Sequence, residues 1–194
     1  MEGYKFLYVF NKRRMPNYCC KDFSYMALVK LEIPDDAIVV YPIDSRKFEK
    51  EQYIAKLHEK SILDTTPIPL SIKCRCSKAK IVEVIDYYLI NDITVLFNHN
   101  NIIKYLLYKL ANVKANPEDL IFCSTYAYDF LYKFNEYVKP DKINLNTSIE
   151  CSNGIHFCKD IQDLMNYINE CTNIQITDTY LDYNEIIKKG EEEL

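Results

Sequence analysis

Glycine is nearly absent from this chain, and that absence limits the folds and sites it can form. The 194 residues include three glycines, of which only Gly154 lies in the interior of the sequence. A Gly-rich phosphate loop needs several closely spaced glycines, because backbone N–H groups must approach the phosphate. The sequence excludes such a loop, and it also lacks the G-x-S-x-G elbow of many hydrolases. At Gly154 itself we expect a positive φ or a close backbone approach.

The composition fits a single compact domain over residues 1–194. Hydrophobic residues make up 48% of the chain, which is enough for a substantial core at this length. The formal net charge of −4 argues against a general nucleic-acid-binding protein, which needs a basic face for phosphates. Acidic residues near the C-terminus predict a flexible tail over residues 188–194.

The cysteines and the first residues of the chain predict a protein that is not secreted. The opening segment MEGYKFLYVFNKRR carries its basic cluster after its apolar run, the reverse of a secretory signal. No apolar run approaches the roughly 18 residues that a membrane span needs. Eight cysteines in such a chain are expected to be reduced thiols in the cytoplasm.

Alternating and β-branched segments predict many strands. In Met26–Ile33, four apolar residues alternate with Leu28, Lys30 and Glu32, as in a sheet with a buried face. Short apolar or aromatic runs of the same kind predict the remaining strands. They are Lys5–Phe10, Ala37–Tyr41, Ser71–Cys76, Lys80–Tyr87, Ile93–Phe97, Leu120–Cys123, Tyr128–Lys133 and Ile155–Cys158.

Three segments have helical spacing of apolar residues. They are Arg46–Leu63, Asn101–Asn112 and Asp160–Glu170, and Asp160 is suited to cap the last one. Together with the strands they predict an α+β fold with mostly antiparallel sheet, about three helices and a single domain.

The candidate site residues lie on two predicted strands. His156 is the middle residue of Ile155–Cys158, with its neighbours facing the other side, so it is either a hydrogen-bonded structural residue or a functional one. Lys73 and Arg75 share one face of Ser71–Cys76 and offer either a site for an anionic partner or a solvated, ion-paired face.

The cysteine spacings do not predict a metal site. Cys74-x-Cys76 and Cys151-x4-His156-x-Cys158 lack the paired C-x(2–4)-C spacing of structural zinc sites. Buried cysteines acting as small hydrophobic residues are the better interpretation.

Four segments, in this order, resemble a family of domains of unknown function found in giant viruses, phages and some bacteria. The first two are ALVKLEIPDDA (Ala27–Ala37) and KCRCSKAKIVEV (Lys73–Val84), which resemble VKLxIPxDA and KCRAxxAxVLEI. The last two are YKFNEYVKPD (Tyr132–Asp141) and ECSNGIHF (Glu150–Phe157), with Asn135 where the family has glycine. The resemblance covers about residues 25–168, with apparent insertions at residues 43–72 and 88–127. It implies a viral source and no particular activity.

The segment that begins at Gly154 is also similar to part of poly(ADP-ribose) polymerases. Gly154-Ile155-His156-Phe157, followed by Asn166-Tyr167, resembles their G-I-Y-F-A…S-A-N-Y segment. There the strand and helix line the nicotinamide pocket, so the resemblance implies His156 and Tyr167 in a pocket for NAD. Glu170 and Glu185 are the nearby candidates for the catalytic glutamate, with Glu170 as the candidate acid, and the H-G-[ST] element has no match here.

Three functions are consistent with these features. The first is a non-catalytic viral module that binds a viral or host protein, in the host cytoplasm, a viral factory or the virion. The second is an ADP-ribosyltransferase-like enzyme or a degenerate relative of one. The third is a nucleic-acid module that uses Lys73, Arg75, Lys78 and Lys80, which the acidic composition disfavours.

Overall fold

The computed structural model describes residues 1–11, 25–44, 71–94, 103–171 and 174–182, and the strands in them join one mixed sheet. The secondary structure of these residues is mostly strand, and it belongs to a single domain. The strands are β1 (Glu2–Asn11), β2 (Tyr25–Glu32), β3 (Val39–Val40), β4 (Lys73–Cys76), β5 (Lys80–Thr94), β6 (Ile103–Ala111), β7 (Leu120–Ser124), β8 (Leu131–Tyr132), β9 (Ile155–Cys158) and β10 (Ile174–Asp182). The one α-helix in this part of the chain is α1 (Ile161–Cys171), and a short 3₁₀ helix spans Pro117–Asp119.

The sheet has the strand order β10-β6-β5-β2-β1-β9-β4-β3. Pairing is parallel between β6 and β10 and antiparallel between the other paired strands. The sheet branches at β1, which pairs with β9 only at Tyr4↔Cys158 and then with β7 over its second half. Strand β8 extends this branch by pairing with β7. The branch separates β9 from β7.

Hydrophobic cores lie on both faces of the central strands. On β2, Ala27, Val29 and Leu31 belong to the first core, which includes Cys74, Cys76, Phe122, Tyr132, Ile155 and Phe157. Met26 and Leu28 belong to the second core, which includes Phe6, Tyr88, Leu107, Cys158, Leu164 and Ile168. The predicted buried face of β2 is confirmed, and its other face is also covered near Leu28.

Helix α1 covers the second core, and its predicted position at residues 160–170 is confirmed. Leu164 and Ile168 are its buried residues, one turn apart on the side that packs against the sheet. The side chain of Asp160 accepts a hydrogen bond from the backbone N–H of Gln162 at 2.6 Å, as expected of an N-cap residue.

The expectation of about three helices is wrong at residues 101–112. Residues 103–111 form strand β6, which pairs with β5 on one side and β10 on the other. Leu107 lies between Ile90 and Ile176 and is fully buried. Strand partners on both sides satisfy the backbone hydrogen bonds of this segment, and a dense run of Leu, Ile and Tyr fits both helical and strand spacing.

Other predictions differ in extent or lie outside the described residues. The predicted helix at residues 46–63 and the tail at 188–194 fall in segments that the structure does not describe. Strand β5 continues to Thr94, beyond its predicted end, and β10 was not predicted. The described part of the chain contains no helix long and apolar enough to cross a membrane.

Backbone pairing joins the four segments 27–37, 73–84, 132–141 and 150–157. Ala79 forms a backbone bridge with Val138, and Ile81 forms one with Phe134. Asn135, where the family has glycine, has a φ of 59°. This left-handed conformation is one that asparagine adopts more readily than most residues other than glycine.

Candidate functional site

The antiparallel pair β4–β9 brings the predicted site residues to one face of the sheet. Arg75 lies directly opposite His156, and Lys73 lies opposite Cys158. Because side chains alternate along a strand, Cys74 and Cys76 join the first core while Lys73 and Arg75 point to the other side. His156 shares this side, since Ile155 and Phe157 also pack in the first core, as the sequence predicted.

Arg75 is fully buried and holds the loop that precedes β9. Its Nε donates to the carbonyl oxygen of Asn144 at 2.7 Å, and its terminal nitrogens donate to the carbonyl oxygens of Asn146, Ile149 and Glu150. The guanidinium therefore supplies hydrogen-bond donors to four backbone carbonyl groups of this loop, in the place that a neighbouring strand or helix turn would otherwise take. It is a structural group here, and it is neither on a solvated face nor open to an anionic partner.

Gly154 approaches the side chain of Arg75 closely and has a φ of 140°. A Cβ at this position would lie 3.3 Å from Cβ of Arg75 and 3.5 Å from Cγ1 of Ile143. The expected positive φ is confirmed, and the close neighbour of Gly154 is the Arg75 side chain. The sequence places its sole interior glycine where the loop folds back onto β4.

Lys73 is the centre of a cluster of nucleophilic and aromatic groups. Its side chain is buried, with 7% of the residue exposed, and Nζ lies 3.1 Å from Sγ of Cys151 and 3.3 Å from the hydroxyl of Tyr167. Nζ also stands over the rings of Tyr126 and Tyr167 at 5.5 and 5.3 Å from their centroids. Burial lowers the pKa of Lys73, but the contacts with Cys151 and Tyr167 outweigh it and raise that pKa above its ordinary value.

His156 is held neutral by its surroundings. Burial, with smaller contributions from the positive charges of Lys73, Lys5 and Arg75, lowers its pKa to about 3. Its Nε2 atom is buried without a hydrogen-bond partner among the described residues. Because the imidazole is uncharged at neutral pH, it is suited to hydrogen bonding and not to attracting an anion.

Lys5 belongs to this cluster, although the sequence analysis did not single it out. Its Nζ donates to the carbonyl oxygen of His156 at 2.9 Å, where β9 separates from β1. Burial lowers the pKa of Lys5 to about 8, and the charge of Lys73 acts in the same direction. A lysine inside the apolar run KFLYVF was the available signal, because a charged residue in a central strand must find a partner.

Cys151 and Tyr126 were also not identified from the sequence as site residues. Both lie on loops, and Cys151 is exposed while Tyr126 has 73% of its surface exposed. Ser71 ties the Cys151 loop to β4, since its hydroxyl donates to Oε1 of Glu150 at 2.7 Å. The contacts of Ser71 with Glu150 and of Lys73 with Cys151 join residues about 80 positions apart in the chain. The spacing of residues within one segment therefore cannot predict them.

The structure brings most of the predicted site residues together, but with different roles. Lys73 contacts Tyr167, and Gly154 and Arg75 pack against each other beside His156. Glu170 lies in the last turn of α1, and its side chain is outside the described part of the structure. Within the described ranges, no group of three His, Cys, Asp or Glu side chains is arranged to hold a metal ion.

Lys78 and Lys80 lie apart from this cluster and are engaged by acidic side chains. Lys78 forms an ion pair with Asp36 at 2.8 Å, and Lys80 forms one with Glu32 at 3.2 Å. Both ammonium groups also stand over the ring of Tyr137. The four basic residues considered for nucleic-acid binding therefore do not form one open basic surface.

The chain matches no protein-family model, no curated protein and no solved structure in comparisons with all three. These comparisons therefore add no argument about its function.

Proposed function

We propose that this chain is a non-catalytic protein-binding module. We place its binding surface on the two loops beside β4, and we call it the loop surface: Tyr126, Leu145 and Ile149. The observation that carries the proposal is that large apolar side chains stand exposed on two loops that contact buried basic residues of β4, one through its backbone and one through the Tyr126 ring.

The exposed side chains of the loop surface have the composition of a binding site. Tyr126 is 73% exposed, Leu145 is 60% exposed and Ile149 is 42% exposed. Tyrosine and aliphatic side chains at the centre of an interface contribute much of the binding energy, because they bury large areas with little loss of rotamer freedom. Tyr126 contacts Lys73, and Ile149 belongs to the loop that carries Cys151, another contact of Lys73.

The loops are also preorganised. Arg75 fixes the backbone of residues 144–150, and the side chains of Asn144 and Asn146 accept hydrogen bonds from the backbone N–H groups of Asn146 and Ser148. Lys73 holds the ring of Tyr126 by a cation–π contact. A surface that is ordered before binding loses less conformational entropy in the complex.

The viral-domain resemblance supports a viral setting for this module. We propose a viral or host protein as its partner, met in the host cytoplasm, in a viral factory or in the virion. This setting agrees with the expectation of reduced thiols.

Quantitative affinity capture from infected cells tests the proposal. The wild-type chain is compared with a Tyr126→Ser, Leu145→Ser double variant. We expect at least one protein to be retained by the wild type and reduced about tenfold or more with the variant, because each lost anchor removes more than 1 kcal/mol.

Tyr180→Ser is the matched control, because Tyr180 is 61% exposed on β10 at the opposite edge of the sheet. Capture with this control should equal that of the wild type. A protein set that is the same for all three chains would contradict the proposal, provided that circular dichroism shows the variants to be folded.

A second candidate is an NAD-binding, ADP-ribosyltransferase-like function. The observation in its favour is the buried, unpartnered Nε2 atom of His156 near the Lys73–Tyr167 contact. The side of Gly154 that faces Arg75 is already filled by that side chain, which limits the space for a ligand there.

Thermal unfolding with and without excess NAD tests this candidate. NAD at about 100 times its dissociation constant would stabilise the fold by roughly 2.7 kcal/mol, and the shift should vanish in His156→Ala. If the shift occurs, Glu170→Gln should abolish transfer and leave NAD binding intact. No shift with NAD, or the same shift in His156→Ala, contradicts the candidate.

A further inference from the structure

Asn153 and Gly154 form the only Asn-Gly pair in the sequence. The pair lies between the loop whose carbonyl groups Arg75 holds and the start of strand β9. Because glycine has no Cβ, no side chain hinders the approach of the asparagine side chain to the next backbone nitrogen. The amide carbon of Asn153 and the backbone nitrogen of Gly154 can therefore join in a five-membered ring.

Both reacting groups are free of hydrogen bonds to the described residues. Asn153 is exposed, and its side-chain amide has no partner there. The backbone N–H of Gly154 likewise donates to none of these residues, since strand β9 begins only at Ile155. Most backbone N–H groups in a folded protein are bonded, so this nitrogen is unusually available as a nucleophile.

The other asparagine side chains of this loop are engaged. The amide nitrogen of Asn144 donates to the hydroxyl of Ser152 at 2.7 Å, and its amide oxygen accepts from the backbone N–H of Asn146 at 2.9 Å. The amide oxygen of Asn146 accepts from the backbone N–H of Ser148 at 2.9 Å. Each of these two asparagines also precedes a residue that carries a side chain. They are therefore internal references for the reactivity of Asn153.

We propose that Asn153 is a modification site, at which the folded protein loses the side-chain amide through a cyclic imide and takes up water. The proposal does not depend on the protein-binding function, because it concerns a reaction within the chain.

The reaction has two steps, and water is its co-reactant. The backbone nitrogen of Gly154 gives its proton to hydroxide and attacks Cγ of Asn153. An N–C bond forms, the C–N bond of the side-chain amide breaks, and the leaving nitrogen takes a proton from water to become ammonia. Water then opens the ring. Attack at Cγ gives aspartate, and attack at the main-chain carbonyl carbon gives isoaspartate.

Isoaspartate would alter the loop that Arg75 holds. The main chain would then pass through Cβ of residue 153 and gain one methylene group. In the unmodified chain, the carbonyl oxygen of Asn153 accepts from the backbone N–H of Asn144 at 3.0 Å, and Gly154 packs against Arg75. The added length displaces one of these contacts relative to the other, so we expect proteases to cleave the modified loop more readily.

Incubation of the folded protein at mildly alkaline pH tests the proposal. Peptide mass spectrometry follows the exchange of amide for carboxylate at each asparagine, and labelling by an isoaspartyl methyltransferase detects isoaspartate. We expect Asn153 to react at least about tenfold faster than Asn144 and Asn146, because its ring closure is intramolecular and unhindered. Asn153→Gln, whose longer side chain closes a ring less readily, should lose the methyltransferase labelling. Asn166→Gln, on the exposed side of α1, is the matched control and should keep it.

The same chain in urea shows whether the fold permits the reaction. We expect the rate at Asn153 in the folded chain to lie within about tenfold of the rate in urea, because neither reacting group must first leave a hydrogen bond. A slower reaction in the folded chain would show that the loop holds the two groups apart, and it would overturn the proposal. A folded chain in which Asn153 reacts no faster than Asn144 would overturn it as well.

Discussion

His156 illustrates how the fold controls the charge of a single residue. Its pKa is about 3 in the folded chain, against about 6.5 for an unperturbed histidine. Between these two pH values the unfolded chain binds a proton that the folded chain does not bind. We therefore predict that His156 makes the fold less stable as the pH falls through this window, by on the order of 3–5 kcal/mol in total.

Chemical denaturation at a series of pH values measures this dependence. His156→Asn, which does not titrate, should show a weaker decline than the wild type between pH 6.5 and 3. The difference between the two curves isolates His156 from the carboxylates that also titrate in acid. Parallel curves would show that the imidazole does not contribute.

Gly154 is a second residue with a specific physical role. We predict that Gly154→Ala destabilises the fold by about 1–3 kcal/mol, because the added Cβ meets Arg75 and the backbone has a φ of 140°. Urea unfolding measures the change. Asn153→Ala in the same loop is the control, since that side chain is exposed, and an equal loss in both variants would contradict the argument.

The sequence indicated the role of Gly154 but not the burial of Lys5, Lys73 and Arg75. Alternation assigns a side chain to a face of a strand, but it does not tell what covers that face. The loop that covers Arg75 is about 70 residues away in the chain, and the partner of Lys5 is about 150 residues away. These contacts depend on the topology of the whole sheet.

At the scale of elements, the loop of residues 144–150 depends on one arginine. We predict that Arg75→Met destabilises the fold by about 3–5 kcal/mol, because it leaves buried carbonyl oxygens without donors. The variant should also be cleaved in this loop by proteases that leave the wild type intact. Urea unfolding and limited proteolysis with mass spectrometry measure the two effects.

Arg75→Lys tests whether charge alone is sufficient. A lysine ammonium cannot reproduce the planar fork that donates to several carbonyls at once, so we expect most of the stability to remain lost. Full recovery in this variant would show that the guanidinium geometry is not what holds the loop.

Strands β6 and β10 show where element prediction fails. The Leu and Tyr residues of β6 fit both helical and strand periods, and its neighbours in the sheet decide between the two. In β10, about half of the side chains are exposed, so the segment lacks the apolar alternation that revealed β2. By contrast, α1 was predictable because its buried apolar stripe and its N-cap residue, Asp160, both indicate the same helix.

At the scale of the whole molecule, the two cores share strand β2 and should unfold together. Leu28 lies in the second core and Leu31 in the first, on opposite faces of this strand. We predict that Leu28→Ala and Leu31→Ala each destabilise the chain by about 2–5 kcal/mol within a single transition. Circular dichroism and tyrosine fluorescence during urea unfolding measure the transition.

A change confined to one part of the signal would contradict this prediction. If Leu28→Ala shifted only the helical signal and Leu31→Ala only the strand signal, the cores would be separate cooperative units. Coincident curves from both probes in both variants are the expected outcome.

The branch at β1 has a consequence for how the chain is made on the ribosome. Strand β2 is synthesised soon after β1, but β7 begins only at Leu120 and β9 only at Ile155, long after β2 has ended at Glu32. Until then one edge of β1 has no partner, and an unpaired apolar strand readily joins other chains. We therefore expect the sheet to close only after synthesis has passed β9, with slow folding and a need for chaperones that shield β1 in the interval.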